Sequence, residues 1–391
     1  MPKLLLIGLA PVIDRGNGVL ALDVKFVEGM RVQAALWDGP VTVVLWLGAA
    51  SLPFGADRAA KDLGFELILL PEGAPVPPAV LAGRDMVAAP GDSHLTLGLP
   101  SLCAAAGAAL VYSIEYTLGT RLQIVALDSS RGPLTRAYSA LWAMRQEMRR
   151  RVAFAAADAV QANGFPAYAA YRALNRDTLL YLDNRIGRGM MATDAEMAAR
   201  EARLRGGAAL RLVHSGRLEP MKGAQDLLPV ARGLMQRSVD FTLDIYGTGS
   251  LAAGIARAIA EEGLGGRVRL HNPVDFETGL VPVLRREADA FLSCHRQADP
   301  SCTYLESMGC GLPVVGYDNA MWRAVMQDSG AGWAVRLGDT AALAACIAGL
   351  LPEAVTGAAE RSRTYAQAHD FESEFAKRMD HLAHVLARRK H

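Results

Sequence analysis

Short apolar runs that alternate with longer amphipathic stretches are the feature of this sequence that most restricts its fold. The first set of runs comprises residues 3–9, 41–47, 66–70, 85–89, 109–115, 159–163 and 179–183, and the second comprises 210–216, 241–247, 267–272, 290–294, 313–317 and 333–336. Helical segments, for example 224–237, 250–262 and 340–351, lie between most neighbours. Continuous apolar strands separated by helices indicate parallel sheets covered on both faces, so two sets predict two doubly wound α/β domains.

The predicted boundary between these domains lies near residues 186–207, where the sequence is rich in alanine and charge and ends in Gly-Gly. We therefore expect an N-terminal domain over 1–190 and a C-terminal domain over 205–365. The last part of the chain, 366–391, includes apolar residues at helical spacing and predicts a terminal helix over 372–390.

Composition excludes several classes of protein. The 41 basic and 40 acidic residues nearly cancel, which argues against a nucleic-acid partner. The five cysteines show neither a CxxC pair nor zinc spacing and indicate reduced thiols in a cytoplasmic protein. The longest apolar stretch, 41–55, is shorter than the roughly 20 residues that span a bilayer. The expectation is a soluble protein or one peripheral to a membrane.

Two cations follow the first strand of the second set. Arg217 and Lys222 come directly after residues 210–216, and Gly223 follows Lys222. In open parallel sheets, ligands bind at the carboxyl ends of the strands, so these cations and the next helix N-terminus could clamp an anion. The alternative is a pair of solvated surface cations.

A second candidate anion site follows residues 290–294. Asp299 and a proline precede Ser301, Cys302 and Thr303, whose backbone N–H groups would open a helix. Glu306 lies one turn further along. A carboxylate there suits a diol such as a ribose, whose hydroxyls donate hydrogen bonds. The alternative is a glutamate in an ordinary first turn, which the helix dipole favours.

Glycines after two other strands are weaker signals. Gly247 follows residues 241–246, and Gly16 and Gly18 follow the first strand of the chain. Such glycines let the backbone approach a phosphate or a sugar, or they mark a turn. The sequence lacks a full GxGxxG, a P-loop, an HExxH and a GxSxG motif.

At this point the sequence resembles a known family. Residues 215–223, 244–250, 267–274 and 299–319 are similar, in order and spacing, to the nucleotide-sugar domain of retaining group 1 glycosyltransferases (family 4). The first half matches only in organisation. The resemblance implies the GT-B fold, with two Rossmann-like domains facing a cleft and a C-terminal helix crossing back to the first domain. It also makes the N-terminal domain the acceptor side.

The resemblance assigns roles to the donor-site residues. Arg217 and Lys222 would hold the donor diphosphate, the N–H groups of Cys302 and Thr303 would bind its distal phosphate, and Glu306 would bind the ribose.

Other assignments are less direct. Gly16 and Gly18 would approach the donor from the opposite domain. The family carries a second glutamate eight positions before Glu306, where this chain has Ala298, so the adjacent Asp299 would substitute.

The acceptor side offers two candidate residues. The family often has a histidine at the end of a first-domain strand, and here Glu115 stands at such a strand end, while His94 lies in an earlier loop. Either would contact donor or acceptor. The alternative for Glu115 is an ion pair with Arg121.

The implied activity is transfer of a sugar, with retention, from a nucleotide-diphosphate sugar to a lipid or glycan acceptor. No acidic DxD pair stands in a suitable loop, so we expect no obligatory metal and no cofactor. Two alternatives stay open: a non-catalytic binding or scaffold subunit of the same fold, and another enzyme of that fold, such as a nucleotide-sugar epimerase or a phosphorylase.

Residues 133–160 predict a long basic helix with an apolar stripe. The stripe comprises Leu134, Tyr138, Leu141, Trp142, Met148 and Val152, and the arginines include Arg145, Arg149, Arg150 and Arg151. Basic amphipathic helices bind anionic membranes, so we hypothesise peripheral association with the inner face of the cell membrane. The alternative is a core-packed helix whose arginines are solvated or pair with Glu147.

Overall fold

The chain forms two compact units. The computed structural model describes residues 1–48, 52, 55–128 and 130–389. Unit 1 comprises Met1–Leu122, Gly132–Tyr181 and Glu374–His391, and unit 2 comprises Gln123–Arg131 and Leu182–Ser373. Relative to the expected boundaries, residues 123–131 and 182–190 group with the second unit.

Unit 1 is built on a seven-stranded parallel sheet with a small accessory sheet. Its strands are β1 Leu4–Ile7, β2 Val12–Gly16, β3 Val19–Asp23, β4 Val41–Trp46, β5 Gly55–Ala59, β6 Glu66–Leu70, β7 Met86–Pro90, β8 Ala109–Ile114, β9 Ala159–Asn163 and β10 Thr178–Tyr181. The helices up to its last strand are α1 Val24–Leu36, α2 Pro78–Leu81, α3 Leu99–Ala106, α4 Leu118–Leu127, α5 Pro133–Ala155 and α6 Phe165–Tyr171. The part of α4 from Gln123 onward groups with unit 2.

All seven strands of the first predicted set are present in the main sheet. Its order is β10-β9-β8-β7-β1-β4-β6, and every pair is parallel. The apolar runs are continuous because helices cover both faces; all four residues of β1 are buried. Strand order reverses between β1 and β7, which makes their carboxyl ends the switch point of this sheet.

The accessory sheet was not predicted. Strands β2, β3 and β5 pair antiparallel, and β2 and β3 form a hairpin in which Gly16 faces Val19. The two residues between them, Asn17 and Gly18, have φ values of 54° and 74°. Positive φ at both positions is what a two-residue hairpin turn requires. The expected phosphate-binding loop is therefore a hairpin, and its turn explains Gly18 without a ligand.

Unit 2 contains the second predicted set as a six-stranded sheet. Its strands are β11 Leu210–Ser215, β12 Phe241–Tyr246, β13 Val268–His271, β14 Ala290–Ser293, β15 Val314–Tyr317 and β16 Gly332–Val335. Its helices are α7 Asp194–Arg205, α8 Leu227–Gln236, α9 Ala252–Glu261, α10 Val281–Glu287, α11 Cys302–Gly309, α12 Ala320–Ser329, α13 Thr340–Ala348 and α14 Pro352–Ala368. The order is β13-β12-β11-β14-β15-β16, again with parallel pairs throughout.

The last helix, α15 Phe371–Arg389, belongs to unit 1 from Glu374 onward. Its buried apolar side chains include Met379 and Leu382. Gln161 of β9 donates to the Arg378 carbonyl at 2.9 Å, and the Arg378 guanidinium lies 4.3 Å from the centre of the Tyr181 ring.

Within the described residues, no single helix has both the length and the apolar character needed to cross a bilayer. One pair, Thr340–Ala348 with Pro352–Arg389, meets that test only when it is joined across a 105° bend.

Candidate functional site

The candidate site of unit 2 lies where strand order reverses. Strands β11 and β14 are neighbours in the sheet, although β12 and β13 intervene in the sequence. The loop that contains Arg217 and Lys222 leaves β11, and the loop that leads to Asp299 leaves β14. Both loops therefore leave the same edge at the switch point, where ligands of such sheets bind.

Glycine lets the two loops approach closely. Gly223 has a φ of 69°, and a Cβ atom built on it would lie 1.7 Å from the carbonyl oxygen of Cys294. Backbone N–H groups of Arg296 and Gln297 both donate to the Met221 carbonyl at 3.2 Å. Gly247 has an analogous role, because its Cβ would lie 2.0 Å from the Gly216 carbonyl oxygen. These glycines are thus required by backbone packing at the sheet edge.

Lys222 and Asp299 form a buried ion pair that joins the two loops. The Lys222 Nζ donates to Asp299 Oδ2 at 2.5 Å, and both side chains are less than a tenth exposed. The sequence predicted both residues in the donor site but not their contact. Lys222 ends a short 3₁₀ turn, Pro220–Lys222, and α8 begins only at Leu227. Lys222 therefore stands in the loop and does not open that helix.

Two buried histidines adjoin this ion pair, and sequence reasoning assigned no role to either. His214 lies near the end of β11, and its Nδ1 contacts the Leu292 carbonyl oxygen at 3.0 Å. Since a carbonyl only accepts, Nδ1 carries the proton. Burial lowers the pKa of His214 to about 4. The ring centres of His295 and His214 lie 6.2 Å apart. Burial lowers the pKa of His295, and Lys222, His214 and Arg217 lower it further. Both imidazoles are neutral at pH 7.

Several buried polar atoms in the described part of the chain lack a hydrogen-bonding partner at this site. They are Asp299 Oδ1, His214 Nε2, both ring nitrogens of His295 and Gln297 Oε1. Buried polar atoms are normally satisfied, because leaving one unpaired costs free energy. Such a concentration fits a polar ligand with several hydroxyls or phosphate oxygens. The sequence signal for this polar site was His214, a histidine inside an apolar strand.

Arg217 is exposed at the edge of the same site. It lines a cavity of about 410 Å³ together with Glu219, Met221 and Ser250. Glu219 accepts from the Ser250 backbone N–H at 2.8 Å, and the Ser250 contacts lower the pKa of Glu219, with a smaller contribution from Arg217. Arg217 thus keeps a solvent-accessible guanidinium beside a buried cation.

Helix α11 begins at Cys302, three residues after Asp299 in the sequence. Ser301 precedes its first turn, but its hydroxyl contacts the Thr303 hydroxyl at 2.8 Å and makes no capping bond to the backbone. Glu306 is buried and lies four residues after Cys302, so both side chains are on one helix face. The predicted residues Ser301, Thr303 and Glu306 therefore occupy the first two turns of one helix.

A second layer of contacts holds the β14 loop. Arg296 forms a bidentate pair with Asp226, with contacts of 2.7–3.0 Å, and the Tyr317 hydroxyl donates to the same carboxylate at 3.1 Å. Asn319 donates to the His295 carbonyl at 3.0 Å and to the Tyr304 hydroxyl at 2.9 Å. These contacts fix the backbone on either side of the buried histidine.

In unit 1, Asp92 organises the loops at the carboxyl ends of β7 and β8. Its carboxylate accepts hydrogen bonds from the backbone N–H groups of Glu115, at 2.9 Å, and Tyr116, at 3.1 Å. It also pairs with Arg121. Burial raises the pKa of Asp92, although Arg121 and these two N–H groups oppose the rise. Arg121 therefore pairs with Asp92, where the sequence suggested Glu115. Asp92 was missed because it was read only as part of the loop that bears His94.

The other predicted residues of unit 1 lie on exposed surfaces, with one exception. His94 packs edge-on against Trp142 of α5, at 5.4 Å between ring centres. Arg145, Arg149 and Arg151 are exposed. Arg150 is buried, donates to the Gly91 carbonyl at 2.7 Å and pairs with Glu147 at 2.7 Å. The prediction that Arg150 faces a membrane is wrong, because its charge is used inside the unit.

No cluster of three or more metal-ligating side chains occurs among the described residues. The buried polar side chains around the Lys222–Asp299 pair include two histidines and Gln297.

Comparisons with known proteins find a matching family model and similar solved structures. Residues 209–353 match the family model of glycosyl transferases group 1. No curated protein matches the sequence. Among solved structures, the chain is similar to HepE from Anabaena in complex with UDP, at 16% identity and a TM-score of 0.65, covering 99% of this chain and 100% of that one.

Two further solved structures show the same similarity of fold. Sucrose-phosphate synthase from Thermosynechococcus elongatus is 17% identical, with a TM-score of 0.67, and the match covers 99% of this chain and 100% of that one. WaaG, a glycosyltransferase involved in lipopolysaccharide biosynthesis, is 15% identical, with a TM-score of 0.60, and the match covers 96% and 98%. The fold is GT-B, as the sequence predicted.

Proposed function

We propose that this protein is a retaining transferase that moves a sugar from a nucleotide-diphosphate sugar to an acceptor hydroxyl. Residues 209–353, which match the family model of glycosyl transferases group 1, support this proposal. The observation that carries this proposal is the switch-point cluster of unit 2. There Lys222 pairs with Asp299 beside His295, and Arg217 lies close enough to affect the pKa of that histidine. HepE, similar in fold, was crystallised with UDP and with UDP-glucose.

The cluster suits departure of a nucleoside diphosphate. As the bond to the sugar breaks, negative charge grows on the leaving phosphate, and fixed positive groups stabilise it. Lys222 has three N–H donors, of which Asp299 takes one, so its ammonium can still donate to phosphate oxygens. Arg217 supplies a second cation, and the first turn of α11 supplies backbone N–H groups. Glu306 then binds the ribose hydroxyls.

The neutral imidazole of His295 and the unpaired Asp299 Oδ1 suit the sugar end of the donor. A neutral imidazole offers one donor and one acceptor, which matches a sugar hydroxyl. Asp299 would thus replace the missing glutamate at Ala298, and it also orients Lys222. Gly247, which follows β12 in unit 2, would adjoin the donor.

For the acceptor we infer a lipid or a glycan, with Glu115 and His94 as the residues of unit 1 that contact substrate. All five cysteines are free, which supports a reducing, cytoplasmic location. We propose that transfer needs no metal, since positive side chains supply the charge that a divalent cation would otherwise provide.

Thermal unfolding of the purified protein with UDP, GDP and ADP, each with and without EDTA, tests the donor site. A ligand that binds only the native state raises the melting temperature. We expect one nucleotide to raise it, EDTA to leave that shift unchanged, and the matching nucleotide-sugar to be turned over. No shift with any nucleotide would favour a non-catalytic subunit. Isomerised donor without transfer would identify an epimerase.

A further inference from the structure

Helix α5 exposes most of its large apolar side chains and buries Glu147 and Arg150. Five large apolar residues between Leu134 and Val152 are each 64–86% exposed: Leu134, Tyr138, Leu141, Met148 and Val152. Their spacings of four, seven, fourteen and eighteen residues from Leu134 place them on one helix face. The sequence left open whether this apolar stripe packs in the core. In the structure the stripe is on the surface. A contiguous exposed apolar face marks an interaction site.

The opposite face of α5 is fixed inside unit 1 by polar contacts. Glu147 and Arg150 are buried and paired at 2.7 Å, and the Tyr171 hydroxyl donates to Glu147 at 3.1 Å. Phe154 packs among Tyr112 and Tyr171. The helix therefore cannot rotate to bury its apolar stripe without breaking a buried ion pair.

The exposed charged side chains of α5 are all positive. Arg145 lies within the apolar stripe, and Arg149 and Arg151 flank it. Among the described residues, none of these three arginines forms an ion pair, and Arg149 contacts only the Gln146 amide oxygen, at 3.0 Å. The single acidic residue of the helix, Glu147, is buried. Exposed apolar side chains interspersed with unpaired arginines match the interface of an anionic bilayer.

We propose that this face of α5 docks on the surface of an anionic lipid bilayer. The apolar stripe enters the boundary between headgroups and acyl chains, and the three arginines contact lipid phosphates. An apolar groove of about 430 Å³ lies beside the C-terminal half of α5. It is lined by Leu97, Pro100, Met148, Val152 and Ala153, together with Arg149. It offers room for part of an acyl chain. Docking does not depend on the proposed transfer, but it would bring a lipid acceptor to the enzyme.

Vesicle flotation at 150 mM salt tests the proposal with the full chain. Vesicles of phosphatidylcholine with about one third phosphatidylglycerol should carry the protein, and phosphatidylcholine alone should carry at least tenfold less. An apolar triple variant (Leu134→Ser, Leu141→Ser, Met148→Ser) and a charge triple variant (Arg145→Gln, Arg149→Gln, Arg151→Gln) should each reduce binding to anionic vesicles at least tenfold. Because all six side chains are exposed, both variants should keep the wild-type melting temperature.

Matched controls are exposed residues of the other unit: Met235→Ser, Val274→Ser and Leu351→Ser together, and Arg237→Gln with Arg257→Gln. These should bind like wild type. The proposal is overturned if wild type does not float with anionic vesicles, or if the α5 variants float unchanged. A wild-type dimer that the apolar triple variant converts to monomer would instead make this face a contact between two copies. Nucleotide-induced thermal shifts of the same variants separate these outcomes from failure of the donor site.

Discussion

Lys222 Nζ and Asp299 Oδ2 lie 2.5 Å apart, although 77 residues separate them in the sequence. Their pairing joins the loop that follows β11 to the loop that follows β14. It places a buried cation beside two neutral imidazoles and leaves the second oxygen of Asp299 without a partner among the described residues. One interaction therefore organises both the electrostatics and the open hydrogen-bonding capacity of the candidate site.

Removing either donor-site cation should slow sugar transfer. We expect Arg217→Ala and Lys222→Ala each to lower kcat by at least about a hundredfold, because each removes a group that stabilises charge on the leaving phosphate. Single-turnover kinetics with the nucleotide-sugar identified by thermal shift would measure the loss. Arg257→Ala, an exposed arginine of α9, is the control. Near-wild-type rates for both variants would show that the donor site lies elsewhere.

The Lys222–Asp299 pair should show strong coupling in a double-mutant cycle. Breaking a buried pair leaves one uncompensated charge, so Lys222→Ala and Asp299→Ala should each cost about 3–5 kcal/mol of unfolding free energy. The double variant should cost much less than their sum. Urea denaturation measures all three. The exposed pair Arg232–Glu262, with side chains about 40% exposed, should give a coupling below about 1 kcal/mol. Additive costs at Lys222 and Asp299 would contradict a functional ion pair.

Gly223→Ala separates loop packing from backbone strain. The added Cβ would meet the Cys294 carbonyl oxygen at 1.7 Å, whereas at Gly263, with a similar φ of 64°, nothing lies within 4 Å. Both substitutions strain the backbone by roughly 1 kcal/mol. Only Gly223→Ala should also abolish nucleotide binding, measured by calorimetry on folded protein. Equal effects of the two variants would mean that the loops need not approach closely.

The buried histidines should make stability fall at acidic pH. The pKa of His214 is about 4 in the folded protein against an ordinary 6.5, so between these values the unfolded chain binds a proton that the native state does not. The free energy of unfolding should therefore decrease as pH falls from 6.5 toward 4, and His295 adds to this slope because its pKa is lowered as well.

His295→Phe tests this pH dependence and the sugar contact together. Neither ring nitrogen of His295 has a protein partner among the described residues, so phenylalanine should preserve stability at pH 7.5 and flatten the acidic slope. Thermal unfolding from pH 4.5 to 7.5 measures both. The same variant should raise KM for the donor but leave UDP, GDP or ADP binding unchanged. A variant with wild-type KM would remove His295 from the site.

Glu306→Gln should weaken nucleotide binding without unfolding the protein. A hydrogen bond to a charged group contributes about 1.5–3 kcal/mol, so the nucleotide Kd should rise by about tenfold or more. Isothermal titration calorimetry would measure the change. Glu353→Gln, in the first turn of α14, is the control and should bind like wild type. An unchanged Kd in Glu306→Gln would exclude a ribose contact.

Strand identity and fold class followed from local sequence, because apolar runs and glycine breaks are local signals. All thirteen predicted strands are present, with ends displaced by one or two residues. The accessory sheet was missed because β2 and β5 are short, largely exposed strands with mixed composition. The Asn17-Gly18 dipeptide was the available signal for its hairpin.

Candidate residues could be named from the sequence, but their partners could not. Arg217, Lys222 and Glu306 follow strand ends in recognisable order. Which loops meet depends on strand order in the sheet, and that order places β14 beside β11. The same dependence explains why Arg121 pairs with Asp92, which lies in the loop after the neighbouring strand β7.

Helix α5 shows most clearly what the sequence determines and what the tertiary structure decides. Its sequence determined a basic amphipathic helix, because residue spacing sets which side chains share a face. Only the tertiary structure decided which face is buried. The buried face carries Glu147 and Arg150, which pair with each other, and Arg150 also donates to the Gly91 carbonyl. Amphipathic spacing is a property of one helix, whereas burial is a property of what packs against it. The sequence alone therefore determined the elements and the chemical groups, and tertiary packing decided their partners and their exposure.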